Sequence, residues 1–144
     1  MAIRGRDLRD ARRLEVGLKR VFLTLAGFAG ALAVALGAFA THGLRGSLAP
    51  DSLATFETGV RYLMYHALAL FGVAWAAAQW PEMKLPVIAG WSMVAGMALF
   101  SGSLVLLALT GMRWLGAVAP LGGAAFILGW LCLALAAWRS GRDD

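Results

Sequence analysis

Four apolar stretches, near residues 20–41, 60–80, 86–109 and 115–138, constrain this chain more than any other feature, because each is long enough to cross a bilayer. A hydrocarbon core of about 30 Å takes about 20 residues at helical rise. Within it the backbone must satisfy its own hydrogen bonds, and the sequence lacks the ten-residue alternation of a barrel, so the stretches read as helices. The breaks between them are chemically suitable: His42-Gly43-Leu44-Arg45-Gly46, Trp80-Pro81-Glu82 through Pro86, and Thr110-Gly111-Met112-Arg113. The last two read as tight hairpins. Composition agrees, with 60% apolar and 15% charged residues against roughly 45–50% and about 25% in an ordinary soluble domain. A soluble domain, a disordered chain, a collagen and a disulfide scaffold are all excluded. The expected fold is an all-α integral membrane bundle of four transmembrane helices, with residues 1–19 as a basic cytoplasmic tail, 20–138 as the membrane domain and 139–144 as a short C-terminal tail.

The net charge of +5 resides mainly at the N-terminus. Arg4, Arg6, Arg9, Arg12, Arg13, Lys19 and Arg20 precede the first apolar run, offset by Asp7, Asp10 and Glu15. Cytoplasmic segments collect such charge. With the N-terminus inside, that side also holds Lys84, Arg139 and Arg142, and the other side holds Arg45, Arg61 and Arg113, so N-in, C-in is expected. Trp80, Trp91 and Trp138 then fall near the inner interface and Trp114 near the outer one, where indoles prefer to lie. The tail is primarily a topology signal, with anionic headgroups as a further class of partner, and the period of Leu8, Ala11, Arg12 and Glu15 allows a short interfacial helix. Nucleic acid is not an expected partner. The basic leader, the apolar run from Val21 and Ala38-Phe39-Ala40 imitate a secretory signal, but the expectation is a retained segment that counts as the first span. The single Cys132 cannot form an intrachain disulfide and reads as a small core or lipid-facing residue.

The connection after the first span is the longest, and its second part looks helical. Pro50, with Asp51 or Ser52 as a cap, starts a helix expected to run to about Trp80, near 30 residues and roughly 45 Å. Glu57 and Arg61 are then an i, i+4 pair in the favourable order. Small residues recur at four-residue spacing (Ala29, Ala33 and Gly37; Ser92 and Gly96; Ala125 and Gly129), which lets helix backbones approach where apolar burial no longer drives association. Gly37, Gly96, Gly102, Gly122, Gly123 and Gly129 are the expected packing glycines. Pro120 falls in the first turns of the fourth helix, where it deprives a carbonyl of its partner.

Polar groups at membrane depth are functional candidates by default. Here they are His42 at the end of the first helix, Glu57, Arg61, Tyr62, Tyr65 and His66 on the second, and Ser101 and Ser103 on the third. Tyr62 and His66 share one face of the second helix, and Glu57, Arg61 and Tyr65 share a nearly opposite one. Three chemistries compete for the cluster: a bis-histidine haem site at His42 and His66, a transition-metal site without a third Cys or His ligand, and a proton or ion path through His66, Tyr62 and the serines without a deep acid. Against them stands a structural reading that carries most weight. His and Tyr hydrogen-bond across helices, and Ser101 and Ser103 return to backbone carbonyls, fixing the register of the bundle. No G-x-S-x-G, Walker loop or H-E-x-x-H is present, so no catalytic residue, metal or cofactor is assigned.

Five blocks then carry a likeness. Gly37-Ala38-Phe39-Ala40-Thr41-His42-Gly43-Leu44, Phe56-Glu57-Thr58-Gly59-Val60-Arg61-Tyr62 with Tyr65-His66-Ala67-Leu68-Ala69, Leu99-Phe100-Ser101-Gly102-Ser103-Leu104, Pro120-Leu121-Gly122-Gly123 and Gly129-Trp130 resemble the YgdD/YwdK-like family of small bacterial inner-membrane proteins of unknown function. The resemblance covers roughly residues 21–138. Where the family pattern has Gly-Ala-His, this chain reads Ala40-Thr41-His42. The resemblance implies a four-helix protein of the bacterial inner (plasma) membrane, with relatives in mitochondria and no agreed activity or catalytic residues. Its blocks coincide with the polar cluster. The expected role is non-catalytic, a structural or accessory subunit packing against another membrane protein or a second copy of itself. The alternative is a binder or transporter of a small lipid-soluble molecule or ion, using the His/Tyr/Ser cluster.

Overall fold

The computed structural model describes the backbone of residues 3–141 and side chains from residue 17 onward. Among the described residues there is no strand. Four helices carry the chain: α1 (Ile3–Phe39), closed by a π-helical turn at Ala40–Leu44; α2 (Pro50–Gln79); α3 (Leu85–Thr110), interrupted by a π-helical turn at Met97–Ser101; and α4 (Leu115–Ser140). All four are long and apolar enough to cross a membrane, over Gly17–Leu44, Pro50–Gln79, Leu85–Thr110 and Leu115–Ser140. The tail backbone continues α1 directly, as one helix from Ile3, where the sequence allowed a short interfacial helix.

Local chemistry sets the ends. Pro50 occupies the first turn of α2, where its missing N–H costs nothing, and Asp51 places negative charge at the helix N-terminus. No side chain caps that end, so Asp51 and Ser52 do not have the capping role expected of one of them. The α3–α4 hairpin turns on Gly111, whose φ of 70° closes α3 in the left-handed region and whose N–H donates to the Leu107 carbonyl at 2.8 Å. Helix α4 runs through Pro120, an exposed position, without interruption.

Helix α2 is the centre of the bundle. Half of its most apolar window is buried, against 17% for α1. Along α1 the packed positions are Phe22, Ala26, Ala33 and Ala40, one narrow face made largely of alanine. Phe28, Leu32 and Val34 remain exposed at 74%, 52% and 63%, as befits a surface whose solvent is lipid. Midway along its length α1 reaches α3 through Phe22, which lies edge-on to Trp91 (5.6 Å) and fills the space over Gly90.

Close glycine contacts set the spacing between helices. A Cβ on Gly96 would overlap the Phe126 ring, and one on Gly122 would overlap the backbone of Phe100. On Gly129 it would come within 2.9 Å of Met93 and 3.1 Å of the Ala89 carbonyl. These three hold α3 and α4 together. The sequence did not single out Gly90 or Gly59. Gly59 brings α2 onto α3, since a Cβ there would stand 3.0 Å from the Ser101 carbonyl and 3.2 Å from Leu104. Gly37, Gly102 and Gly123, also expected to pack, would place a Cβ at ordinary contact distances of 3.8–4.0 Å. Cys132 is buried as a free thiol.

Candidate functional site

The polar residues of α2 divide as helix geometry requires. Residues 62 and 66 are one turn apart and face α4, whereas residues 57 and 61 face the seam with α1.

His66 is the buried centre, only 4% exposed. Helix α4 meets it with another i, i+4 pair, Phe126 and Trp130. The Phe126 ring lies flat against the imidazole, with centroids 3.4 Å apart and planes 10° apart. The Trp130 indole donates its Nε1–H to His66 Nε2 at 3.2 Å. An indole nitrogen only donates, so Nε2 must be the acceptor and the ring proton must sit on Nδ1. That Nδ1–H donates in turn to the Tyr62 carbonyl at 2.8 Å, within the same helix. The geometry therefore fixes a neutral tautomer with both ring nitrogens engaged.

Around this pair the aromatic packing continues. Tyr62 stacks along His66 (6.1 Å) and touches Phe100 at 4.8 Å. Phe100, inside the π-helical turn of α3, meets Phe126 edge-on at 5.7 Å. The bare backbone at Gly96 gives Phe126 its place, and Phe126 supports the histidine, so a glycine of α3 positions an imidazole of α2 through a ring of α4.

The serines separate. Ser103 Oγ donates to the Phe100 carbonyl at 3.0 Å, as expected. Ser101 does not return to a carbonyl: its hydroxyl is buried without a hydrogen-bond partner among the described residues. The π-helical turn ends at this residue, where the widened backbone departs from regular helical spacing. Ser101 also borders an apolar groove of about 310 Å³ between α1, α2 and α3, with Leu36, Leu63 and Met97 among its walls.

The remaining residues of the expected cluster stand apart from His66. His42 is exposed in the turn that ends α1 and is not among the ring contacts of His66. Glu57 and Arg61 are exposed and line a concavity of about 270 Å³ with Gly37, Ala40 and Val60. Despite their spacing they form no ion pair among the described residues. No group of three metal-ligating side chains converges among the described residues.

Sequence reasoning missed Trp130, Phe126 and Phe100 as members of the site. One signal was available: an indole N–H in mid-span must find an acceptor, since lipid offers none.

The family described as "Protein of unknown function (DUF423)" matches residues 36–123, a segment that contains all of the polar cluster. The chain belongs to that family. Among similar proteins, the UPF0382 membrane protein YwdK of Bacillus subtilis is 48% identical over 118 residues, covering 82% of this chain and 96% of the relative. A UPF0382 membrane protein of Haemophilus influenzae is 37% identical over 123 residues, covering 85% and 98%. SERP0230 of Staphylococcus epidermidis is 40% identical, covering 81% and 94%. No solved structure matches the chain. The DUF423 relatives are named as membrane proteins, in accord with four apolar helices, and the YwdK-like resemblance read from the sequence blocks holds.

Proposed function

We propose that this DUF423 protein is a non-catalytic structural or accessory subunit of the bacterial inner membrane, oriented N-in, C-in, that packs against another membrane protein or a second copy of itself. The observation that supports this reading is the engagement of both His66 ring nitrogens, one by Trp130 and the other by Tyr62. An imidazole so committed holds α2 to α4, with its one ring lone pair directed at the Trp130 N–H and its Nδ1–H at the Tyr62 carbonyl. With its polar centre spent on internal register, the protein offers apolar helix faces as its main surface. The least enclosed helix is α1, whose most apolar window is only 17% buried and which exposes Phe28 and Leu32 on one side and Val34 on another.

The test is gentle extraction of a tagged chain from its native membrane, followed by the mass of the intact particle and identification of its stoichiometric components. A foreign polypeptide in fixed ratio, or a defined homo-oligomer, is the expected result. A lone monomer across several mild detergents would overturn the proposal. A second reading, a binder of a small lipid-soluble molecule, draws support from the apolar groove bordered by Ser101, which is of ligand size at about 310 Å³. That reading predicts an apolar compound in fixed ratio with the extracted chain, lost on filling the groove by Ala98→Phe.

A further inference from the structure

The concavity at the seam of α1 and α2 carries an anion and a cation with no ion-pair partner among the described residues, and their distance along α2 from Gln79 corresponds to headgroup depth. Arg61 lies about 27 Å along α2 from Gln79 at 1.5 Å per residue, and the hydrocarbon core is about 30 Å thick. With the far end of α2 at one boundary, Arg61 stands at the other. Glu57 is one turn farther out, about 6 Å. Both line the same recess, whose wall on α1 is made of Gly37 and Ala40, residues too small to fill it. Neither charge has an ion-pair partner among the described residues. Below Arg61 the face continues through Tyr65 and Leu68, exposed at 53% and 59%. From solvent inward the surface therefore runs carboxylate, guanidinium, phenol, aliphatic.

We infer that this recess binds the phosphoethanolamine group of an aminophospholipid, with Arg61 on the phosphate and Glu57 on the ammonium. A guanidinium presents paired N–H donors that match two phosphate oxygens. The carboxylate lies on the water side of it, where the ammonium, two carbons beyond the phosphate, extends. A primary ammonium donates hydrogen bonds to Glu57 that a trimethylammonium cannot, and a glycerol headgroup brings no positive charge. The recess thus selects a zwitterion with a protonated amine. Tyr65 and Leu68 lie where the glycerol backbone and the start of an acyl chain would follow.

The test reconstitutes the full chain into bilayers of equimolar phosphatidylethanolamine, phosphatidylcholine and phosphatidylglycerol with matched acyl chains, then quantifies the lipid retained per chain after mild extraction. Phosphatidylethanolamine is expected to be enriched about tenfold, the discrimination available from one charge-assisted hydrogen bond. Arg61→Gln should abolish retention of all three lipids, and Glu57→Gln should leave phospholipid retention while erasing the preference for ethanolamine over choline. Gly37→Leu should fill the recess and release the lipid with both charges intact; the charge variants, at exposed positions, carry the test should that variant fail to fold. Soluble glycerophosphoethanolamine should compete only weakly, because it lacks the chain that lies along Tyr65 and Leu68. Equal retention of the three lipids, or unchanged retention in Arg61→Gln, would overturn the inference. So would full competition by the soluble headgroup, which would assign the site to a water-borne ligand, or a change of oligomeric mass in Arg61→Gln, which would assign it to a subunit contact.

Discussion

Replacing Trp130 by Phe deletes one hydrogen-bond donor and leaves most of the ring in place. Its partner, His66 Nε2, accepts only that N–H at 3.2 Å, on a residue 4% exposed, so neither water nor lipid can take over the role. Cross-helix hydrogen bonds in membranes are worth about 0.6 kcal/mol on average and up to about 1.7. An acceptor left unsatisfied in a buried site costs roughly 1–3 kcal/mol. The single substitution should therefore destabilise the bundle by about 2 kcal/mol, part of it from the smaller ring. A double-mutant cycle with His66→Phe isolates the pair: in the His66→Phe background, Trp130→Phe removes ring packing together with an indole donor that has already lost this acceptor, and the coupling energy should be about 1 kcal/mol. Reversible unfolding in mixed micelles, followed by tryptophan-independent far-UV circular dichroism, measures all four corners. A coupling energy indistinguishable from zero would refute the assignment of this contact as the link between α2 and α4.

Glycine substitutions should divide according to what lies above them. Gly122→Ala meets the Phe100 backbone, which cannot swing aside, and should cost about 1–3 kcal/mol in the same unfolding assay. Gly30→Ala faces open space and should be neutral or stabilising by up to about 1 kcal/mol; equal effects at the two positions would contradict the packing described. Ser101→Ala removes a buried hydroxyl that has no partner and should be neutral or stabilising by about 1 kcal/mol, whereas a clear loss of stability would mean the hydroxyl is bonded. Gly111→Ala places a side chain in the left-handed region and should cost about 1 kcal/mol, with no change in lipid retention or oligomeric mass.

The four spans were legible because lipid imposes a length and a composition on any helix that crosses it, and the early start of α2 was legible from Pro50 and Asp51. The opposed faces of Tyr62 with His66 and Glu57 with Arg61 followed from helical period alone. What α2 faces on α4 was not legible, since helix rotation is set by packing among four bodies and not by any one of them. For the same reason Gly59 and Gly90 escaped notice while Gly37 attracted it: small-residue spacing marks a surface that permits close approach, and only the neighbouring helix decides where approach occurs. The π-helical turn at Met97–Ser101 left no signature in apolar residues that pattern equally well either side of an inserted position. The hydroxyl of Ser101, at the end of that turn, has no partner among the described residues, so the expected return to a carbonyl failed there while it held at Ser103.

The tautomer of His66 is the most direct test of the account, because a histidine that holds two helices together and one that serves chemistry differ first in their ring nitrogens. Nitrogen-15 magnetic resonance of the selectively labelled chain in bilayers reads them separately. The geometry predicts a protonated Nδ1 and an unprotonated, hydrogen-bonded Nε2, and in Trp130→Phe a shift of Nε2 toward the value of a free acceptor. A proton on Nε2, a metal-shifted Nε2 resonance, or an Nε2 signal indifferent to Trp130→Phe would contradict the claim that the polar centre of this bundle is spent on holding it together.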